Sequence, residues 1–212
     1  MAESHANTRL EAFCDGVFAI ALTLLIIEIR PPSPESIRST SDLWRALEHL
    51  APLVFAFLLS FCVIFITWVN HHATLKLIHG SSASFIYANG FVLLTVVVIP
   101  FPTALLGEFL LTDQAAPGVV LYNAVLVLQA IAWILLTGTI QRRGLVTDAR
   151  AAATIGENHR NGYLALALYS VLAIAAWWLP LTVALVTMAT WIFWLVLGIR
   201  MKQHVRDVPA NL

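Results

Sequence analysis

The chain has 212 residues, of which 59% are hydrophobic and 11% charged, with zero formal net charge and a mean hydropathy of +0.83. A soluble domain carries about 25% charged residues, so no aqueous core hides this much apolar surface, and the chain reads as an all-α integral membrane protein. Neutrality removes the basic footprint of a nucleic-acid binder, and no glycine-rich phosphate loop or serine elbow points to an enzyme.

A crossing needs about 20 mostly apolar residues, and six segments are predicted to cross. The first covers about residues 11–29 and stops before Pro31-Pro32. It lacks a small-residue cleavage site and is read as a retained helix rather than a signal peptide. The second covers about 47–75, the third about 84–109 with Pro100 and Pro102 late in it, and the fourth about 119–140. The stretch from Gln141 to Gly162 is the longest inner connection, and its Ala151-Ala152-Ala153 run predicts a short interfacial helix. The fifth and sixth segments, about 163–179 and 181–201, form a hairpin at Pro180. No internal repeat is evident, and residues 1–212 read as one transmembrane domain.

Positive charge orients the bundle. With the N-terminus inside, the inner segments hold Arg9, Lys76, Arg142, Arg143, Arg150, Arg160, Arg200, Lys202 and Arg206; the outer ones hold only Arg30, Arg38 and Arg45. Both termini are therefore expected in the cytoplasm. Cys14 and Cys62 lie inside apolar runs and read as small buried side chains rather than a disulfide.

This orientation gathers polar residues at one depth. Arg9 and Asp15 sit at the inner end of the first helix, Trp68, Asn70, His71 and His72 at the inner end of the second, and Asn89 low in the third. Ionisable groups inside a bilayer are costly and usually functional. Arg9 and Asp15 are six positions apart, about 240° and 9 Å along a helix, so the two do not pair directly and each needs a partner on a neighbouring helix. The neighbouring imidazoles and Asn89 are candidates. The plainer alternative is an interfacial cluster with a snorkelling Arg9 and an anchoring Trp68. The adjacent His71 and His72 point about 100° apart and do not chelate one ion together, and no helical His/Glu pair has metal spacing, so neither metal nor cofactor is expected. Above Asp15, Ile20, Thr23, Leu24 and Ile27 share one face of the first helix at i, i+3, i+4, i+7 spacing. By periodicity alone they are ordinary packing or lipid-facing residues.

The segment Arg9-Leu10-Glu11-Ala12-Phe13-Cys14-Asp15 resembles the Arg-x-x-x-Phe-Ser-Asp signature of the endolysosomal potassium channel family, transmembrane protein 175 and its bacterial relatives. Thr67-Trp68-Val69-Asn70-His71-His72 and the segment from Pro100 to Glu108 are similar to the bacterial members, in the same order. The resemblance implies a homotetramer in a bacterial inner membrane, with the first helices around a pore that passes potassium and, more weakly, other monovalent cations. It implies apolar rings at Ile20, Leu24 and Ile27, a hydroxyl ring at Thr23, and a structural network on Arg9, Phe13, Asp15, Trp68, His71, His72 and Asn89. The carbonyl-lined Thr-Val-Gly-Tyr-Gly filter of other potassium channels is missing from the sequence. The signature serine is Cys14 here, a weaker hydrogen-bonding group. A competing reading is a proton-coupled transporter or proton pathway that uses Asp15 and His71 as a relay.

Overall fold

A computed structural model describes the backbone of residues 2–191 and the side chains of residues 8–191. Its elements, in chain order, are α1 (Ala2–Leu24), α2 (Thr40–His49), α3 (Ala51–Leu75), α4 (Ala83–Val98), α5 (Pro100–Phe109), α6 (Ala115–Arg142) and α7 (Ala149–Ala175). A last helix, α8, is described over Pro180–Trp191. Among the described residues four stretches are long and apolar enough to cross a membrane: Thr8–Glu28, Ala51–Leu75, Ala83–Phe109 and Ala115–Arg142. They agree with the first four predicted segments, and the protein is an all-helical membrane protein.

The boundaries depart from the sequence expectation in three places. The predicted second segment, 47–75, is two helices. Ser39 caps α2 by accepting from the Asp42 N–H at 3.2 Å, α2 ends at Leu50, and Pro52 occupies the first turn of α3, where its missing N–H costs nothing. The third, 84–109, divides into α4 and α5 at Ile99, because Pro100 and Pro102 cannot donate to the preceding turn. The predicted interfacial helix and fifth segment are one continuous α7, which Asp148 starts by accepting from the Ala151 N–H at 2.8 Å. Arg150, Glu157, His159 and Arg160 make its first half polar without breaking it. The predicted sixth segment beyond Trp191, and the inner-side charges Arg200, Lys202 and Arg206, lie outside the described residues.

Helix α1 packs against α3 and α4, α3 against α5, α4 and α5 against α6, and α6 along α7. Close approach needs small residues, because lipid gives helices no hydrophobic reason to meet and contact must supply the attraction. A Cβ on Gly107 would lie 2.8 Å from the Leu53 Cα, and one on Gly162 would lie 2.8 Å from the Ile134 Cγ1. Hydrogen bonds add ties inside the bundle: Ser60 meets the Thr103 hydroxyl at 2.6 Å and the Tyr122 hydroxyl at 3.0 Å, joining α3, α5 and α6. The α3–α4 and α6–α7 links lie side by side, since the His79 N–H donates to the Leu145 carbonyl and the Thr147 N–H to the Leu77 carbonyl, both at 3.0 Å. Gly144, at φ 61°, ends α6: the Leu145 N–H reaches back to the Ile140 carbonyl and the Gly144 N–H to Gln141, each at 3.1 Å.

Candidate functional site

Helix α1 is divided lengthwise. Cys14, Phe18 and Ala21 are almost fully buried, and so is Leu25, the first residue of the 3-10 turn that follows α1; their spacing of four, three and four residues makes one stripe against the bundle. Most of the rest of the helix is open, Ala12, Gly16 and Ala19 included: Phe13 is 63% exposed, Ile20 60% and Leu24 40%, with Thr23 exposed among them, and Ile26 and Ile27, in the 3-10 turn Leu25–Glu28 that follows α1, are 53% and 64% exposed. Thus the four residues singled out on the sequence are all uncovered in the single chain, and so is Phe13. The Thr23 hydroxyl donates to the Ile20 carbonyl at 2.9 Å. With its proton so engaged, the oxygen turns its lone pairs away from its own backbone.

Tethers at the N-terminal half set the rotation of α1. The Trp68 indole N–H donates to Asp15 Oδ1 at 2.7 Å, a charge-assisted bond from α3 to α1. One turn further along α3, the His71 Nε2–H donates to Asn89 Oδ1 at 2.6 Å, and Asn89 Nδ2 donates to Cys14 Sγ at 3.2 Å. Three helices are thereby joined through one buried amide. The His71 ring lies against Phe18, with centroids 5.3 Å apart, and against Trp133 at 6.3 Å. Residue 14 is thus a working acceptor in the network, even as a thiol. Cys62, read as buried on the sequence, is exposed.

His72 faces a different neighbour. Its Nδ1 lies 3.0 Å from Glu11 Oε1, and its ring stacks on Trp68 with centroids 5.8 Å apart. Glu11 is the residue that sequence reasoning missed: it occupies a variable position of the signature, but it stands one turn before Asp15 and so shares its face. That i, i+4 spacing was the available signal. Arg9 is exposed and makes no ion pair among the described residues. Asn70, grouped with this cluster on the sequence, instead lines a cavity of about 190 Å³ with Thr67, Gln129, Asn158 and Asn161. Asp15 and His71, the two ends of the relay that a proton pathway would use, are bonded to different partners.

A third stripe was not foreseen. Phe57, Phe61, Phe65, Trp68 and His72 follow one another down α3, with ring centroids 5.6–6.2 Å apart. It ends on Asp15 and Glu11, so the aromatic ladder and the polar tether meet at the same point.

Comparison with known proteins is consistent with this arrangement. Residues 9–100 match the family described as endosomal/lysosomal potassium channel TMEM175. A potassium channel of Chamaesiphon minutus is 43% identical over 129 residues, covering 61% of this chain and 63% of that protein, just under two thirds. A potassium channel of Streptomyces collinus is 38% identical over 150 residues, covering 70% of this chain and 71% of that protein. The chain belongs to the TMEM175 family. The crystal structure of a lysosomal potassium-selective channel TMEM175 homolog from Chamaesiphon minutus superposes with a TM-score of 0.77 at 32% identity, covering 89% of this chain and 97% of that one. The TMEM175 family match spans the signature, the tethers and the division of the third segment at Pro100.

Proposed function

We propose that this chain is one subunit of a potassium-permeable, leak-type cation channel in a bacterial inner membrane. Four copies enclose the pore, because one copy of α1 cannot surround an ion. Each subunit forms a single domain that crosses the membrane six times, with both termini in the cytoplasm; the fifth and sixth crossings use the apolar half of α7 and the helix that begins at Pro180.

The observation that carries this reading is the uncovered stripe of α1, in a chain whose relatives are potassium channels. Brought around an axis, Ile20, Leu24 and Ile27 form successive apolar rings. A narrow apolar ring makes a water-filled, ion-bearing state costly and can gate by dewetting. Thr23, whose hydroxyl proton is held by the Ile20 carbonyl, presents an oxygen that replaces part of the ion's hydration and gives a modest preference for potassium over sodium. Asp15, Trp68, His71, Asn89 and Cys14 hold the helix at the rotation that keeps this stripe toward the axis, with His72, Phe13 and Arg9 at the same end.

The test is liposome flux under potassium, sodium and caesium gradients. Ile20→Asn wets the narrowest ring and is expected to raise flux severalfold and flatten selectivity. An Ile20→Asn channel with wild-type flux and selectivity would remove Ile20 from the constriction. Cross-linking that stops at dimers would remove the tetramer.

A further inference from the structure

We propose that Glu11, Asp15 and His72 form a binding site for a divalent first-row transition-metal ion such as zinc, tying α1 to the foot of α3. One donor atom from each of the three residues lies within 4.8 Å of the other two. Zinc bound to nitrogen and oxygen at about 2.0–2.2 Å in a tetrahedron places its donors roughly 3.4 Å apart. The Glu11–His72 pair, at 3.0 Å, is already that close.

Electrostatics gives the site a reason to take a cation. Glu11 and Asp15 stand one turn apart on the same face of α1, where like charges repel. Among the described residues no lysine or arginine pairs with either of them; the ion pairs are Arg45–Asp42 and the contact with His72. Two carboxylates and one imidazole share this half-buried position. His72 Nδ1 is shielded from solvent and lacks an aligned hydrogen-bond partner, although a carboxylate oxygen is 3.0 Å away. A nitrogen and an oxygen held 3.0 Å apart suit an ion that both can ligate.

The surroundings support the ligands. Trp68 donates to one oxygen of Asp15 and leaves the other free, and the same indole stacks on the His72 ring and fixes its plane. Such outer contacts orient metal ligands and tune their affinity. One imidazole with two carboxylates favours zinc, cobalt or nickel over magnesium and calcium, which prefer all-oxygen shells. Three protein ligands leave a fourth position for water.

The experiment uses the full chain purified in detergent and titrated with zinc chloride by calorimetry, with magnesium chloride as comparison. Glu11→Gln and His72→Gln keep the Asp15–Trp68 bond intact, and His79→Gln, on an exposed link, is the control. Wild type and the control are expected to bind one zinc per subunit, magnesium far more weakly, and each site variant to bind zinc at least about tenfold more weakly. Cobalt chloride should give wild type a visible absorption band that zinc abolishes, a readout that holds even where a variant fails to fold. Absence of saturable zinc binding, equal affinity for magnesium, unchanged affinity in either site variant, or no displaceable cobalt band each overturns the proposal. None of these measurements involves ion flux, so the site stands or falls apart from the channel reading.

Discussion

The two faces of α1 differ less in composition than in company. The buried stripe, Cys14, Phe18, Ala21 and Leu25, and the open one, Phe13, Ile20, Thr23, Leu24 and Ile27, are both mainly apolar. In water such a helix would have no preferred side. In a bilayer it has even less, because lipid tails are as apolar as a leucine and burial against protein gains nothing from the hydrophobic effect. What selects the buried side is a short list of specific contacts: Asp15 with Trp68, Cys14 with Asn89, and the Phe18 ring against His71. Turning α1 by one residue, about 100°, would break all three and carry Ile20 off its face. Polar groups near one end therefore decide where apolar groups two turns away point.

The largest expected effect separates the stripes by stability. Phe18 is 1% exposed and Ile20 60% exposed, on the same helix two positions apart. Phe18→Ala leaves a cavity against α3 and is expected to cost about 3 kcal/mol, as in other well-packed interiors. Ile20→Ala is expected to cost less than about 0.5 kcal/mol, as at other uncovered positions, while still changing flux. Thermal unfolding in detergent checks both. Equal destabilisation by the two variants would mean that a single copy does not hold α1 at this rotation.

Next is the tether. Asp15→Ala strips the Trp68 indole of its acceptor and is expected to cost about 1.5–3 kcal/mol, the range for a hydrogen bond to a charged group. Asp15→Asn, which still offers an oxygen, should recover about half of that. The discriminating readout is disulfide cross-linking from a cysteine placed at Ile20: a freed α1 loses the cross-link between copies. A normal cross-link in Asp15→Ala would show that packing alone orients the helix.

A smaller effect belongs to Thr23. Thr23→Val keeps the shape of the side chain and removes only the hydroxyl. The stability change should fall within about 0.5 kcal/mol, and the preference for potassium over sodium should drop without loss of total flux. A Thr23→Val channel with unchanged selectivity moves the ion contact elsewhere on the stripe.

How much of this was legible in the sequence follows from the same physics. Four crossings could be read from the length of apolar runs, which bilayer thickness enforces. The break at Leu50 and the unbroken α7 could not, because Pro52 is compatible with a helix start as well as with its interruption, and the polar first half of α7 resembles a loop in a hydropathy profile. Asp15 and Trp68 stood out as a charge and an indole at matching depth. Their bond is a matter of rotation about two helix axes, which spacing along one helix does not contain. Cys14 reads as a weaker hydrogen-bonding stand-in for the signature serine, and Glu11 is passed over because it fills a variable position of that signature. The tertiary fold gives one of them an amide donor and the other an imidazole.

The smallest effect lies outside the membrane spans, where water again is the solvent and an ordinary cap decides a helix start. The Ala151 N–H bonded to Asp148 holds its carboxyl below the usual aspartate range, with the Arg150 N–H and the Thr147 hydroxyl acting in the same direction. A depressed value in the folded chain means that the cap contributes fully above the ordinary aspartate range and is lost as the pH falls through the depressed value. The first turn of α7 should therefore exchange its amide hydrogens faster at strongly acidic pH, after correction for intrinsic exchange. Asparagine caps helices about as well as aspartate but does not titrate, so Asp148→Asn should keep the protection and lose its pH dependence. The effect should stop within about one turn, as end effects on helices do, and leave the α1 stripes unchanged. If Asp148→Asn also alters protection around Cys14 and Phe18, the link at the start of α7 is coupled to α1, and the rotation of that helix depends on more than its own tethers.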